Sequence, residues 1–267
     1  MKLLVGSTGL IGTTLKDSVN FDYEFNSKNL SDLLTVSQNS EPLDLYLCCL
    51  PATKWLINKE PLKDFQNMIS ILKILEQRSY RKIVVYSTID IYTDAPTHST
   101  EDYKISIEAA SNGFNYGNNR HLFEHLVKAV LKWEHLLVVR LPALIGKHLK
   151  KNILYDLLTN NQIDKIGYNT KYQWYDLNNL AEDTERYLTL LDTDPLTYKS
   201  FCVNLFSEPV DTASILKVFG VDKSQVDTST KPVAYDYKTK HTPSGYIADK
   251  QSILKTIEVF YSSSKSL

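Results

Sequence analysis

The chain has 267 residues, 43% of them hydrophobic, with 30 basic against 31 acidic side chains and a formal charge of -1. A chain of that length buries roughly three-quarters of its unfolded surface, which excludes a disulfide-stapled mini-protein and predicts one large domain or two small ones. The even charge excludes the basic footprint of a nucleic-acid or anionic-membrane binder. No apolar run approaches the ~20 residues of a bilayer span, and the opening MKLLVG breaks too early for a signal peptide, so the reading is cytosolic.

Short apolar runs alternate with helical patterns from the start, the signature of βαβ units and a doubly wound parallel sheet. Lys2–Val5 is the first strand, 10–19 a helix, 22–25 a short second strand, and 44–50 (DLYLCCL) a third strand closed by Pro51. Cys48 and Cys49 are neighbours in that run and point to opposite faces, so they cannot converge on a metal, and Cys202 is alone. Residues 57–77 read as one long helix, with Phe65, Met68, Ile69, Leu72 and Leu75 at three- and four-residue steps. A strand at 82–86 (KIVVY), a helix at 118–132 and a strand at 136–141 follow. Beyond Gly146 the periodicity weakens, with helices expected at 153–159, 180–191 and 212–219 and a frayed tail at 262–266. The predicted organisation is a dinucleotide-binding domain at 1–146 and a smaller substrate lobe at 147–267, with about 200–206 returning to the sheet.

Gly6-Ser7-Thr8-Gly9-Leu10-Ile11-Gly12 stands between the first strand and the first helix. Glycines there let the backbone turn tightly and approach a pyrophosphate at the helix N-terminus, a context that favours dinucleotide binding over a merely tight connection. Where an NAD site usually offers a carboxylate to the ribose 2′-OH, Asn26, Ser27 and Lys28 follow the second strand, and a hydroxyl and an ammonium suit the 2′-phosphate of NADP. Ser87-Thr88-Ile89-Asp90 lies at the carboxyl edge of the sheet. Tyr116 and Arg120 are one turn apart on one face of the next helix, so the phenol and guanidinium are placed to meet a nicotinamide ribose.

Together these segments resemble the extended short-chain dehydrogenase/reductase family of nucleotide-sugar epimerases, dehydratases and reductases. GSTGLIG is similar to its Gly-x-x-Gly-x-x-Gly turn, YSTIDIY to its Ser-Ser/Thr strand end, YGNNRHLFE to its Tyr-Gly-x-x-Lys-x-x-x-Glu helix, VVRLPALIG to its nicotinamide-facing strand, and YQWYDLNNLAED to its later acidic segment. The resemblance implies a Rossmann domain with a C-terminal substrate lobe, a nicotinamide cofactor, NADP with NAD as the alternative, and a homodimer. It implies Tyr116 as acid/base, Thr88 as hydrogen-bond partner of the same substrate oxygen, and Arg120 in the place of the family's lysine. Asp90 stands where dehydratases carry an acid. Cofactor contacts are implied for Gly6, Thr8, Gly9, Leu10, Ile11 and Gly12 at the turn and for Asn26, Ser27 and Lys28 after the second strand. Further contacts fall on Leu50, Pro51 and Ala52 after the third strand, and on Tyr86, Ser87, Tyr116, Arg120, Pro142 and Leu144.

On the substrate side, GKHLKKN (146–152) suits a nucleotide diphosphate, with Thr88, Lys147 and Asn152 as contacts and Gln173 and Trp174 as sugar- or base-facing residues. The expected activity is reduction of a nucleotide-activated keto-sugar in glycan precursor synthesis. Epimerisation or dehydration through transient oxidation is the alternative, and a non-catalytic NAD(P)-binding regulator is the rival of another class. His121-Leu122-Phe123-Glu124-His125 also spells a short zinc-peptidase pattern, but the same helix is accounted for by the family resemblance and no third ligand is apparent, so no metal is expected.

Overall fold

Strands β1 (Lys2–Val5), β2 (Tyr23–Phe25), β3 (Asp44–Leu47), β4 (Ser79–Thr88), β5 (Lys132–Leu141) and β9 (Ser200–Asn204) form one sheet in the order β2-β1-β3-β4-β5-β9. The computed structural model describes residues 1–37, 42–92, 95–104, 113–193 and 199–264. β1 pairs in parallel with both β2 and β3, and β3 with β4, where Asp44 faces Lys82 and Leu47 faces Val85. Strands covered on both faces read as unbroken apolar runs. Leu3, Leu4 and Val5, Leu45 and Leu47, and Ile83, Val84 and Val85 are accordingly almost wholly buried. The order reverses at β1, so the turn after this strand lies at the switch point of the sheet.

Helices α1 (Leu10–Lys16), α2 (Lys54–Lys59), α3 (Pro61–Leu75) and α4 (Tyr116–Val130) cover the sheet. The long helix expected at 57–77 is two helices. Pro61 disfavours helical geometry at Glu60 (φ -128, ψ 55) and itself begins α3, where its missing N–H costs nothing. β4 extends beyond the expected 82–86 to Thr88, and α4 starts at Tyr116, with Asn115 as its N-cap accepting from the Asn118 N–H at 2.9 Å.

The chain forms two compact units and does not divide at a single point near 146. One comprises Met1–Ala95, Tyr103–Arg140 and Leu180–Val203, so that an expected helix, α6 (Leu180–Thr193), belongs with the sheet. The other comprises Pro96–Asp102, Leu141–Asn179 and Asn204–Leu267. In it β6 (Ala143–Ile145) pairs in parallel with β8 (Trp174–Asp176), and β7 (Thr170–Tyr172) lies between β10 (Val210–Asp211) and β11 (Val233–Ala234). Its helices α5 (Ile153–Thr159), α7 (Thr212–Phe219) and α8 (Lys250–Ser264) close a core around Ile145, Leu154, Trp174, Val210, Ile215, Leu216 and Ile257. α8 takes up residues 262–264 of the expected frayed tail, because Ile253 and Ile257 anchor the helix to that core; residues 265–266 lie outside the described residues.

Candidate active site

The three glycines of the first turn serve different ends. Gly6 has φ +103, and a Cβ there would lie 2.4 Å from the Cys48 carbonyl oxygen. A Cβ on Gly12 would lie 2.3 Å from the Gly6 carbonyl oxygen, so Gly12 lets α1 pack on the turn. Gly9 is exposed, caps α1 without a side chain, and has room for a Cβ no closer than 3.4 Å to any neighbouring atom. Packing thus requires two of the glycines, and the third keeps the outer surface of the turn clear. Thr8 is exposed beside it, and Leu10 and Ile11 open the helix half-buried.

β2 ends at Phe25, which puts Asn26, Ser27 and Lys28 directly after it. Asn26 shapes the loop: its side-chain oxygen accepts from the Lys28 N–H at 2.9 Å while its own N–H donates to Asn29 Oδ1 at 2.7 Å. Ser27 and Lys28 are left exposed. The nearest acids are committed, Glu24 to Lys16 Nζ at 2.8 Å and Asp22 to the Lys2 N–H at 2.7 Å.

Thr88 ends β4 and Tyr116 begins α4, and their side chains lie close enough for Thr88 to act on the phenol. Thr88 Oγ1 also accepts from the Asp90 N–H at 3.2 Å. Gly117 makes the approach of α4 possible, since a Cβ there would lie 2.2 Å from the Asp90 carbonyl oxygen. The Tyr116 N–H donates to Asn58 Oδ1 at 2.8 Å, tying the start of α4 to α2. Burial pushes the Tyr116 phenol above its ordinary pKa; the Arg120 charge opposes the shift, the Asp90 charge adds to it, and the nearby polar groups of Thr88 and Arg120 oppose it. Asp90 forms an ion pair with Lys54 Nζ at 2.6 Å. Ser87 Oγ is buried without a hydrogen-bond partner.

Arg120 does not reach outward as the sequence suggests. Its guanidinium donates to Asp64 Oδ2 at 2.8 Å, to Asp64 Oδ1 at 3.1 Å and to the Pro51 carbonyl at 2.5 Å, with its Cζ 4.7 Å from the centre of the Tyr116 ring. Asp64 also accepts from Asn119 Nδ2 at 2.8 Å. Both members of the ion pair are almost inaccessible to water. The guanidinium is thus held by Asp64 and the Pro51 carbonyl. Asp64, Asn58, Asn119 and Lys54 were not singled out by the sequence reading. For Asp64 a signal existed: it stands one turn before Met68 on the buried stripe of α3, where an acid needs a partner.

Arg140, on the strand expected to face the nicotinamide, binds Glu124 Oε2 at 2.7 Å and Oε1 at 3.2 Å and the Tyr92 hydroxyl at 2.6 Å, all buried. That contact takes the Glu of the His-x-x-Glu-His spelling into the protein interior, while His121 and His125 face each other with their Nε2 atoms 3.0 Å apart. No group of three or more His, Cys, Asp or Glu gathers as a metal site among the described residues. Tyr86 spends its hydroxyl on Thr184 Oγ1 at 2.9 Å, so that group is not a free cofactor contact. Leu50 packs at the edge of the core, and Pro51 and Ala52 are exposed at the carboxyl end of β3.

Three expected substrate contacts have other tasks. Trp174 is wholly buried in the core of its unit, with no face left for stacking. Gln173 is equally buried: its Nε2 donates to the Ser207 and Tyr237 carbonyls at 2.6 and 2.7 Å and its Oε1 accepts from the Tyr237 N–H at 2.8 Å. Asn152 caps α5, accepting from Leu154 and Tyr155 and donating to the Leu144 carbonyl. Lys147 is exposed, Leu144 half-buried and Pro142 buried.

A glycine turn at the switch point and a Thr–Tyr pair at the same edge of the sheet invite comparison with known structures. No family model and no curated protein sequence matches the chain. A solved UDP-galactose 4-epimerase superposes with a TM-score of 0.71 at 15% identity over 100% of both chains. The fold is the Rossmann-like α/β fold of that solved protein. A dTDP-4-dehydrorhamnose reductase from Yersinia enterocolitica gives 0.65 at 10% identity over 98% of each chain, and MoeE5 in complex with UDP-glucose and NAD gives 0.69 at 15% over 99% of each. This fold brings the ends of β1, β3 and β4 to one edge, where the turn, Pro51 and Thr88 stand. No helix of the described residues is long and apolar enough to cross a membrane.

Proposed function

We propose that the protein is a nicotinamide-dependent oxidoreductase that reduces a nucleotide-activated keto-sugar, with NADP(H) preferred. The observation that carries this reading is the neighbouring Thr88 and Tyr116 side chains at the edge that also bears the glycine turn. Gly9 leaves the turn open to a pyrophosphate, Ser27 and Lys28 suit a 2′-phosphate, and the unpartnered Ser87 hydroxyl at the end of β4 is a polar group that a bound coenzyme would satisfy. When bound, the reduced nicotinamide supplies the hydride. Thr88 orients the substrate carbonyl oxygen, and Tyr116 passes its phenolic proton to that oxygen as the alcohol forms. Burial holds the phenol protonated, which matches a proton donor better than the base that an epimerase needs for its first oxidation. Solved proteins of this fold include a keto-sugar nucleotide reductase and a protein holding UDP-glucose and NAD, which supports the substrate class. Lys147 is the remaining candidate for a substrate diphosphate.

The test is loss of reduced-nicotinamide absorbance with a keto-sugar nucleotide. Wild type is expected to turn over and Tyr116→Phe to be silent; equal rates would defeat the assignment. A second reading, a non-catalytic dinucleotide-binding regulator, is favoured by the sequestration of Arg120. It predicts tight NADP(H) binding with no turnover on any sugar nucleotide.

A further inference from the structure

The group that decides how Tyr116 behaves is not on its own helix. Arg120 is the cation nearest the phenol, and an isolated cation at that distance favours the phenolate. Here it is not isolated. Asp64, projecting from α3, takes two of its hydrogen bonds and offsets part of its charge in the buried layer beside Tyr116. Asn119 fixes the Asp64 carboxylate from the other side, donating to the same Oδ2 and to the Pro61 carbonyl at 3.0 Å.

The other charged groups around the phenol do not restore a net positive field. Asp90, on the turn after β4, adds a negative charge that is met by Lys54 of α2. Cys49, beside the Arg120 charge, has its thiol pushed up to about 12 by burial and so stays neutral. Arg140 of β5 is closed onto Glu124. Among the described residues, Arg120, Lys54 and Arg140 each thus have their own carboxylate.

We propose that Asp64 is a positioning residue of the active site: by offsetting the Arg120 charge it keeps Tyr116 a proton donor and sets the site for carbonyl reduction rather than alcohol oxidation. This rests on the reductase reading for its purpose but not for its physics. Asp64→Asn keeps the shape and one acceptor oxygen while leaving the guanidinium uncompensated. Removing both charges, in Asp64→Asn/Arg120→Gln, returns the layer to neutrality.

The experiment is a pH titration of the full chain carrying ring-labelled tyrosine, read by NMR, with Tyr116→Phe identifying the resonance. Tyr116 in Asp64→Asn is expected to ionise roughly one to three pH units below wild type, the usual effect of one uncompensated charge. The double variant is expected to return towards wild type, which a merely structural role for Asp64 does not predict. An unchanged midpoint in Asp64→Asn, or a double variant that follows the single one, overturns the proposal. Should Asp64→Asn not fold, the double variant with Asp64 restored, Arg120→Gln alone, decides: its buried carboxylate, now uncompensated, must raise the Tyr116 midpoint, and a fall or no change overturns the proposal. The titration needs no substrate, so a failed turnover assay sinks the reductase reading without touching this result. A shifted midpoint together with turnover predicts the same displacement in the pH profile of reduction.

Discussion

The guanidinium of Arg120 is closed onto the carboxylate of Asp64 by hydrogen bonds of 2.8 and 3.1 Å, and both groups are nearly out of reach of water. Such a pair gives little net stability over an apolar pair of the same shape, yet losing one member strands the other charge in the interior. Arg120→Ala is therefore expected to cost about 3–5 kcal/mol, measured as a lowered denaturant midpoint, and Arg120→Met/Asp64→Leu to recover most of it. Arg120→Lys, which cannot reproduce the two-pronged contact, is expected to lose stability as well. A neutral Arg120→Ala would show that the pair is not formed in solution.

The glycine turn offers a separation between packing and binding. Gly12→Ala drives a methyl into the Gly6 carbonyl and is expected to destabilise by about 1–3 kcal/mol. Gly9→Ala meets nothing closer than 3.4 Å within the protein and should leave thermal unfolding almost unchanged, while coenzyme affinity falls at least about tenfold because a methyl enters the space for the pyrophosphate. Calorimetric titration with NADPH beside a melting curve tests both. Equal affinity in Gly9→Ala would remove the pyrophosphate from this turn.

Tyr116→Phe is expected to lower the rate of keto-sugar reduction by about 10²–10⁴-fold with coenzyme affinity preserved, since only the proton donor is lost. Because burial raises the phenol's pKa, the protonated form that donates persists through neutral pH. Reduction should stay level there and fall only as pH rises past the phenol's own ionisation. A rate that rises in that alkaline range would make Tyr116 a base rather than an acid.

Coenzyme choice is expected to follow the loop after β2. Lys28→Asp replaces an exposed ammonium with a carboxylate and should weaken NADPH relative to NADH by about tenfold or more, equivalent to about 1.4 kcal/mol. Paired dissociation constants read the ratio, and a ratio that does not move would place the 2′-phosphate elsewhere.

His121 provides a stability test with a defined sign. Burial lowers its pKa from 6.5 to about 4, with the Glu124 charge opposing and the His125 and Arg140 charges adding. Between those values the unfolded chain binds the proton that the folded protein refuses, so stability falls as pH falls from 6.5 towards 4. His121→Gln should flatten that part of the stability curve. If wild type and variant lose stability in parallel across the window, the histidine is not the group responsible.

Apolar runs and glycines in the chain were sufficient to read the doubly wound sheet and the first turn, and they put Thr88 at the end of β4, while its pairing with Tyr116 came from the family resemblance. These features depend on local geometry: parallel strands need unbroken apolar runs, and a turn at φ +103 against a carbonyl needs glycine. Even the break before α3 was written locally, in Glu60-Pro61. What the order of residues left open was decided by partners distant in the chain. Arg120 and Asp64 are 56 positions apart, so whether the guanidinium faces a ribose or a buried acid depends on how α3 packs beside α4. The same holds for Trp174, which an aromatic on a polar stretch suggests for stacking and which the core of its unit takes instead. Side-chain chemistry fixes what a residue can bind, but charges and aromatic rings act at longer range than the backbone rules that set strands and turns, and only the packed structure selects their neighbours.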